Sequence, residues 1–314
     1  MAGFFIERRG MVIETGCTAA LQTCIIQKHL MGILHVLASL RNTLRTWNRN
    51  RIERLRVQRE ANAAHEFTLG VLGIMKNEAM NLDEWVQHYL SMGAGKIFLI
   101  DNASTDDTVQ KAKSWVEKGV LELVEYPERH RQTAHYWTAF KQLNIRRKCK
   151  WLIVADLDEF WFCPSGEPIA AQLDDFRDFD VIYGNWRVFG SNGCIQHPAS
   201  LRQALTTCIP GLHFHTGRKY MCRTSVITSG RSMGVHTVNG ARSERTVSDN
   251  ERFHLNHYVT QSLEFFQTVK MPRGAVSKPK NDTLKHMQFF DGQNASATQP
   301  DHLLADLVAS GKIK

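Results

Sequence analysis

The sequence lacks the marks of several protein classes. No stretch of its 314 residues approaches 20 uninterrupted apolar positions, which excludes a multi-span membrane protein. The seven cysteines (Cys17, Cys24, Cys149, Cys163, Cys194, Cys208, Cys222) include no CxxC pair. Their scatter and odd number argue against a zinc site or a disulfide scaffold, and a reducing compartment is the simplest expectation. From residue 67 onward no proline-rich linker divides the chain, and no internal repeat is visible. Wholesale disorder is excluded by a globular composition of 43% hydrophobic and 22% charged residues. The length suits one large domain or two modest ones.

What the chain does have is positive charge, +8 in all, and it is unevenly placed. Residues 1–66 carry a net +5, leaving +3 for the other 248. Leu30 to Leu40 is apolar but interrupted by His35, too short and too polar to span a bilayer, and no signal-peptide cleavage pattern follows it. Then come Arg41, Arg45, Arg49, Arg51, Arg54, Arg56 and Arg59, interleaved with Leu44, Trp47, Ile52, Leu55 and Val57. A helix here is basic and partly amphipathic, suited to peripheral contact with an anionic membrane through residues 30–60, with a solvated extension as the plainer alternative. A cytoplasmic or membrane-peripheral location is expected. No RNP, KH or zinc signature accompanies the arginines, so no nucleic-acid partner is expected.

From Phe67 the pattern becomes regular. Thr68 to Met75 reads as a buried strand, followed by a helix capped by Asn81 with Leu82, Trp85, Val86, Tyr89 and Leu90 on one face. Gly93 and Gly95 close it, and a second strand runs from Lys96 to Ile100. Next come a helix over 105–118, a strand over 120–125, a helix over 132–146 and a strand over 151–155. The alternation predicts right-handed βαβ units in a mostly parallel, Rossmann-like α/β sheet flanked by helices. Ligands of such sheets bind beyond the carboxyl ends of the strands. Those ends read Lys76-Asn77-Glu78, Asp101-Asn102-Ala103-Ser104 and Asp156-Leu157-Asp158-Glu159.

The last group is the most informative. Three carboxylates directly after a buried strand repel one another and resist desolvation unless a cation is present. Asp158, with Asp156 alongside, is a candidate ligand set for Mn²⁺ or Mg²⁺, both of which prefer hard oxygen donors. Such a metal could neutralise a departing diphosphate. The plainer alternative is an acidic, solvated turn.

Taken together, these motifs resemble the glycosyltransferase family 2-like group that includes the glycosyltransferase family 92 domain, with a GT-A type fold. The resemblance covers about 69–274. It rests on Lys76-Asn77-Glu78-Ala79 with Glu84-Trp85 and His88-Tyr89, on Ile100 to Asp106, and on Asp156-Leu157-Asp158-Glu159-Phe160. Trp186 to Gly193 and Asn256-His257-Tyr258 with Ser262, Glu264-Phe265, Lys270 and Arg273-Gly274 complete the series in order.

The resemblance implies a metal-dependent transferase moving a sugar, a UDP-hexose above others, to the hydroxyl of a glycan, glycoprotein or glycolipid, with inversion. It implies that Asn77, Glu78, Asp101 and Asn102 hold the nucleoside. Asp156, Asp158 and His257 would serve the metal, Gly190 and Ser191 the donor sugar or acceptor, and Lys270 and Arg273 the phosphates. Glu264 stands alone where relatives often carry two acids, and Cys194 stands where His is common. Three domains are expected: a basic helical extension over 1–66, the GT-A-like domain over 67–290, and a tail or helix over 291–314.

Other histidines and acids remain open. His213 and His215 share a face but lack an evident third ligand, while His236 in Gly234-Val235-His236 is a candidate ligand contact. An inverting transfer needs a base for the acceptor hydroxyl. Asp249 and Glu251, shortly before the His257 strand, are the favoured candidates. A haloacid-dehalogenase-type phosphatase also places DxD after an apolar strand. Phe160 and the three preceding strand-helix units oppose that alternative, and a non-catalytic membrane- or RNA-binding protein leaves the acidic strand ends unexplained.

Overall fold

The computed structural model describes residues 31–32, 35–48, 51, 54–55, 64–212, 217–273 and 286–314. The chain divides into two units, 1–56 and 57–314. In the first, residues 35–48 form helix α1. Val36, Leu37, Leu40, Leu44 and Trp47 are each at least half exposed. At 100° per residue they share one stripe about 100° wide, with Arg41 and Arg45 on its flank. Among the described residues no helix is long and apolar enough to cross a membrane.

The second unit is built on one nine-stranded sheet. Its first strands are β1 (Phe67–Met75), β2 (Lys96–Asp101), β3 (Leu121–Glu125), β4 (Cys149–Val154) and β5 (Glu159–Phe162). Then come β6 (Val181–Val188), the short β7 (Thr207–Cys208), β8 (Arg218–Arg223), β9 (Thr246–Ser248), β10 (His254–His257) and β11 (Gln299–Pro300). The order across the sheet is β3-β2-β1-β4-β8-β6-β10-β5, with β9 beside β6, while β7 and β11 pair separately. Strands β3, β2, β1 and β4 are parallel, as the βα alternation predicts. Beyond β4 the sheet is mixed: β8 runs antiparallel to β4 and β6, and β10 is parallel to β6.

Helices α2 (Leu82–Ser91) and α3 (Thr108–Glu117) cover one face of the parallel half, and α4 (Gln132–Gln142) covers the other. The strands show the period of two that this requires. Leu69, Val71, Trp151 and Ile153 face the α2 side, while Leu72, Ile74, Leu152 and Val154 face Tyr136 and Phe140 of α4. Helix α2 ends at Gly93, whose φ of +85° is the left-handed backbone a helix stop uses.

Two local expectations change. The helix expected over 132–146 stops at Gln142, because Asn144 adopts φ +54° before a short turn, Ile145–Lys148. Asn81 precedes α2, but its side chain makes no cap and donates instead to Glu78 Oε2 at 2.6 Å. The C-terminal residues belong to the same core. Helix Met287–Ser296 runs through the expected boundary at 290, β11 pairs β7, and Leu304, Leu307 and Ile313 are buried in the main cluster.

Candidate active site

The carboxyl ends of β1, β2 and β4 lie side by side, and the loop beyond each is held by side chains from its neighbours. After β1, Asn77 turns left-handed at φ +54° and accepts from Thr105 N at 2.7 Å. Glu78 N donates to Thr108 Oγ1 at 2.7 Å. The buried Glu78 carboxylate receives Asn81 and the Arg273 guanidinium, and Arg273 also donates to Lys76 O at 3.1 Å. Burial raises the Glu78 carboxyl above its usual range against the pull of Arg273.

After β2, Asp101 Oδ2 accepts from Ser104 N at 3.1 Å, while Oδ1 is buried without a hydrogen-bond partner among the described residues. Asn102 spends its amide on Tyr126 O and Glu128 O, at 2.6 and 3.1 Å. It therefore fixes the loop after β3 rather than presenting that amide to a nucleoside.

The acidic loop after β4 is the centre of the arrangement. Lys219, fully buried on β8, donates to Asp156 Oδ2 at 2.8 Å and lies 3.3 Å from Glu159 Oε2. Glu159 Oε2 also accepts Asp156 N at 2.9 Å. Burial penalises the Lys219 ammonium, yet Asp156 and Glu159 hold its pKa above the ordinary lysine value. Burial drives Glu159 well above the usual carboxyl range, with Lys219 opposing. On the other side, Lys270 donates to Asp158 Oδ2 at 2.6 Å and His257 Nε2 lies 3.5 Å from Asp158 Oδ1. Burial pushes the Asp158 carboxyl up, but Lys270 and His257 overcome it and hold it well below the usual range. Lys270 ends a π-helical turn, Phe266–Lys270, inside the helix 263–273, an irregularity often found where a helix serves a site.

The cations that the three carboxylates require are thus partly supplied by the chain itself. The sequence-based expectation assigns Lys270 and Arg273 to phosphates; here they pair with Asp158 and Glu78, and Lys219 is not anticipated. Its one signal is a lysine beside Tyr220-Met221-Cys222, three residues that are buried in β8.

Does the donor set fit a divalent cation? Asp158 Oδ1 and His257 Nε2 face each other at 3.5 Å. Adjacent vertices of an octahedron with ligand bonds near 2.1 Å lie about 3 Å apart, so the pair suits two such positions. Among the described residues no group of three His, Cys, Asp or Glu gathers around one point. The protein therefore offers a divalent ion this one carboxylate–imidazole pair, and any further ligands would have to come from substrate or water.

Two expected site residues take other places. Strand β10 runs in the same direction as β4, so His257 at its carboxyl end reaches Asp158 while Asp249 and Glu251 precede its amino end. Three strand steps alone put them about 10 Å away. There Asp249 Oδ1 caps a turn, accepting Glu251 N at 3.0 Å and Arg252 N at 2.7 Å, and Glu251 is exposed. The structure does not bring these two acids to the site.

Gly190 and Ser191 also differ from expectation. Gly190 N donates to Thr207 O at 3.0 Å and Ser191 N to Asn294 Oδ1 at 2.7 Å, so neither N–H is open to a ligand. A Cβ on Gly190 would lie 2.7 Å from that of Ala297, so glycine is required by the C-terminal helix. His213 and His215 lie outside the described residues.

The carboxyl ends of the strands, where ligands of α/β sheets bind, here gather carboxylates, lysines and an arginine. The family model for glycosyltransferase family 92 matches residues 65–296, and the chain belongs to that family. A glycosyltransferase family 92 protein of Ricinus communis is 25% identical over 203 residues, 62% of this chain and 36% of that protein. One of Oryza sativa subsp. japonica is 26% identical over 113 residues, 35% and 18% of the respective lengths. The chain thus aligns with 36% of the first of these curated relatives and 18% of the second.

Among solved structures, S. aureus TarS in complex with UDP-GlcNAc superposes with a TM-score of 0.41 at 14% identity, covering 63% of this chain and 61% of that one. GalNAc-T7 with UDP, GalNAc and Mn²⁺ gives 0.38 at 12% identity, covering 80% and 55%.

Proposed function

We propose that this chain is a metal-assisted glycosyltransferase that takes a nucleoside-diphosphate sugar, a UDP-hexose first among the candidates, and transfers the sugar with inversion. The acceptor is a hydroxyl of a glycan, glycoprotein or glycolipid. The observation that carries this reading is the convergence of Asp156 and Asp158 with Lys219, Lys270, Arg273 and His257 beyond β1, β4 and β10. Family membership gives the reaction class.

Mn²⁺ or Mg²⁺ would be held by Asp158 and His257, supplying positive charge to the diphosphate. Asp156 stands next to that pair, with its loop braced by Lys219. Asp101, whose Oδ1 is unpartnered among the described residues, and the Asn77-Glu78 turn line the nucleoside side. Lys270 and Arg273 keep two cations near the phosphates, though each now serves a carboxylate. Substrate entry therefore involves an exchange of ion-pair partners.

The apolar stripe of α1 with Arg41 and Arg45 beside it supports peripheral contact with an anionic membrane surface. The test of the transferase reading is release of UDP from UDP-hexoses by the protein and its Asp158→Asn variant, with Mn²⁺ and after chelation. A loss of 100-fold or more in the variant and in the chelated protein is expected. Equal turnover with and without both Asp158 and metal would sink the metal assignment.

A further inference from the structure

With Asp249 and Glu251 in the turn before the amino end of β10, the acceptor hydroxyl needs another base. The acids at the site are poor candidates. Glu78 is tied to Arg273, Asp158 to Lys270, and Asp156 and Glu159 share the one ammonium of Lys219, so each already has a cationic partner. Glu159 is also wholly buried. His257 directs Nε2 at Asp158.

His236 is placed differently. It sits in a tight turn between the bridged residues Met233 and Val238, where Gly234 N donates to Thr237 O at 2.9 Å. The turn is clamped from the sheet: Tyr220 OH donates to Gly234 O at 3.0 Å, and Val238 N donates to Tyr183 OH at 3.0 Å. The ring packs edge-on against Trp186 at 5.4 Å between centroids, and Trp186 in turn lies 4.3 Å from His257. One aromatic row thus joins His236 to the Asp158 pair.

The imidazole's tautomer is set by its one hydrogen bond. Nδ1 lies 3.0 Å from Arg218 O, and a carbonyl can only accept, so the proton resides on Nδ1. Nε2 then carries a lone pair, and no protein group bonds to it among the described residues. A base needs such an orienter on the far nitrogen and an unoccupied near one. Burial, assisted by the Lys219 and His257 charges, lowers the His236 pKa, against the Arg218 carbonyl and Asp156, which raise it. The lowered pKa favours the neutral ring.

We propose that His236 is the catalytic base of this site, acting on the acceptor hydroxyl through Nε2. The inference rests on the transferase reading above. In the step, the hydroxyl oxygen bonds to the anomeric carbon as its proton passes to Nε2. The bond from that carbon to the diphosphate oxygen breaks, and its electron pair leaves with the nucleoside diphosphate. The imidazolium then returns its proton to solvent.

The test uses the full chain and its His236→Gln variant with UDP-glucose, UDP-galactose and UDP-N-acetylglucosamine, Mn²⁺, and pooled methyl hexosides as acceptors. UDP release, glycoside formation and UDP affinity are read between pH 5 and 8. The variant should lose about 10²–10⁴-fold in kcat. It should bind UDP as the wild type does and lose the acid limb of the pH profile, which in the wild type reports protonation of the ring. Transfer within threefold of wild type with an unchanged acid limb overturns the assignment. So does a parallel loss of UDP affinity, which marks a structural role.

Imidazole ¹⁵N spectra of the wild type give a second check independent of turnover. An Nδ1–H neutral ring at pH 7 is expected, and an Nε2–H ring or an imidazolium contradicts the proposal. A wild type that releases no UDP from any donor instead sinks the transferase reading, and the base with it.

Discussion

Lys219 shows how a single residue makes the acidic loop tenable. Its ammonium is buried between Asp156 and Glu159, and removing it strands charge in the interior. Lys219→Met is expected to destabilise the fold by about 3–5 kcal/mol in urea denaturation, because a buried partner left alone is costly. Glu159→Gln added to Lys219→Met should recover part of the loss. The pH dependence has a definite sign. A lysine whose pKa is raised by folding contributes fully below its unfolded value, roughly 10.4, and less as pH climbs beyond it. The gap between wild type and variant should therefore persist through neutral pH and narrow only in strong alkali. A gap under about 1 kcal/mol at pH 7 would show that Lys219 is not the loop's counter-ion.

The sequence displays Asp156, Asp158 and Glu159 in one short run, so their need for a cation is legible there. The cation itself is not. Lys219 lies 63 residues from Asp156, and only the antiparallel pairing of β8 with β4 brings them together. The placement of the favoured acids Asp249 and Glu251 is hidden for a related reason: proximity to His257 along the chain conceals a strand's length and its direction.

At the scale of elements, the parallel half was readable because each buried strand is a continuous apolar run and each helix keeps one apolar face. Beyond β4 the sheet mixes parallel and antiparallel pairs between strands distant in sequence, with pairings set by tertiary contacts, and no local period announces them. The glycine at 190 illustrates two explanations for one residue, ligand approach or close packing. Its neighbours decide for packing, so Gly190→Ala should lower stability by about 1–3 kcal/mol, as overpacking does, while leaving UDP affinity unchanged. Weakened UDP binding at full stability would return the loop to the donor site.

Helix α1 is a second element with a separable role. Its stripe of Leu37, Leu40 and Leu44 faces outward, so Leu40→Glu with Leu44→Glu should abolish co-sedimentation with phosphatidylserine vesicles without slowing UDP release. Vesicle binding that survives both changes would remove the membrane role from α1.

On the scale of the whole molecule, a pI near 9.2 describes the chain poorly. Residues 1–66 hold most of the excess charge, and the remainder is nearly neutral, with the site cations Lys219, Lys270 and Arg273 committed to acidic partners. Such a site should bind a dianionic nucleotide best when an extra cation arrives with it. A ligand that binds only the folded state at 100 times its Kd adds about 2.7 kcal/mol of stability. For a domain of this size that is a rise in Tm of several degrees.

The most direct test is a thermal-shift series with UDP, UDP-glucose, UDP-galactose and UDP-N-acetylglucosamine, each with and without Mn²⁺, on the wild type and Asp158→Asn. The account predicts a rise for at least one UDP-sugar that requires Mn²⁺ and disappears in Asp158→Asn. No shift with any nucleotide, or an equal shift in the variant, would contradict it.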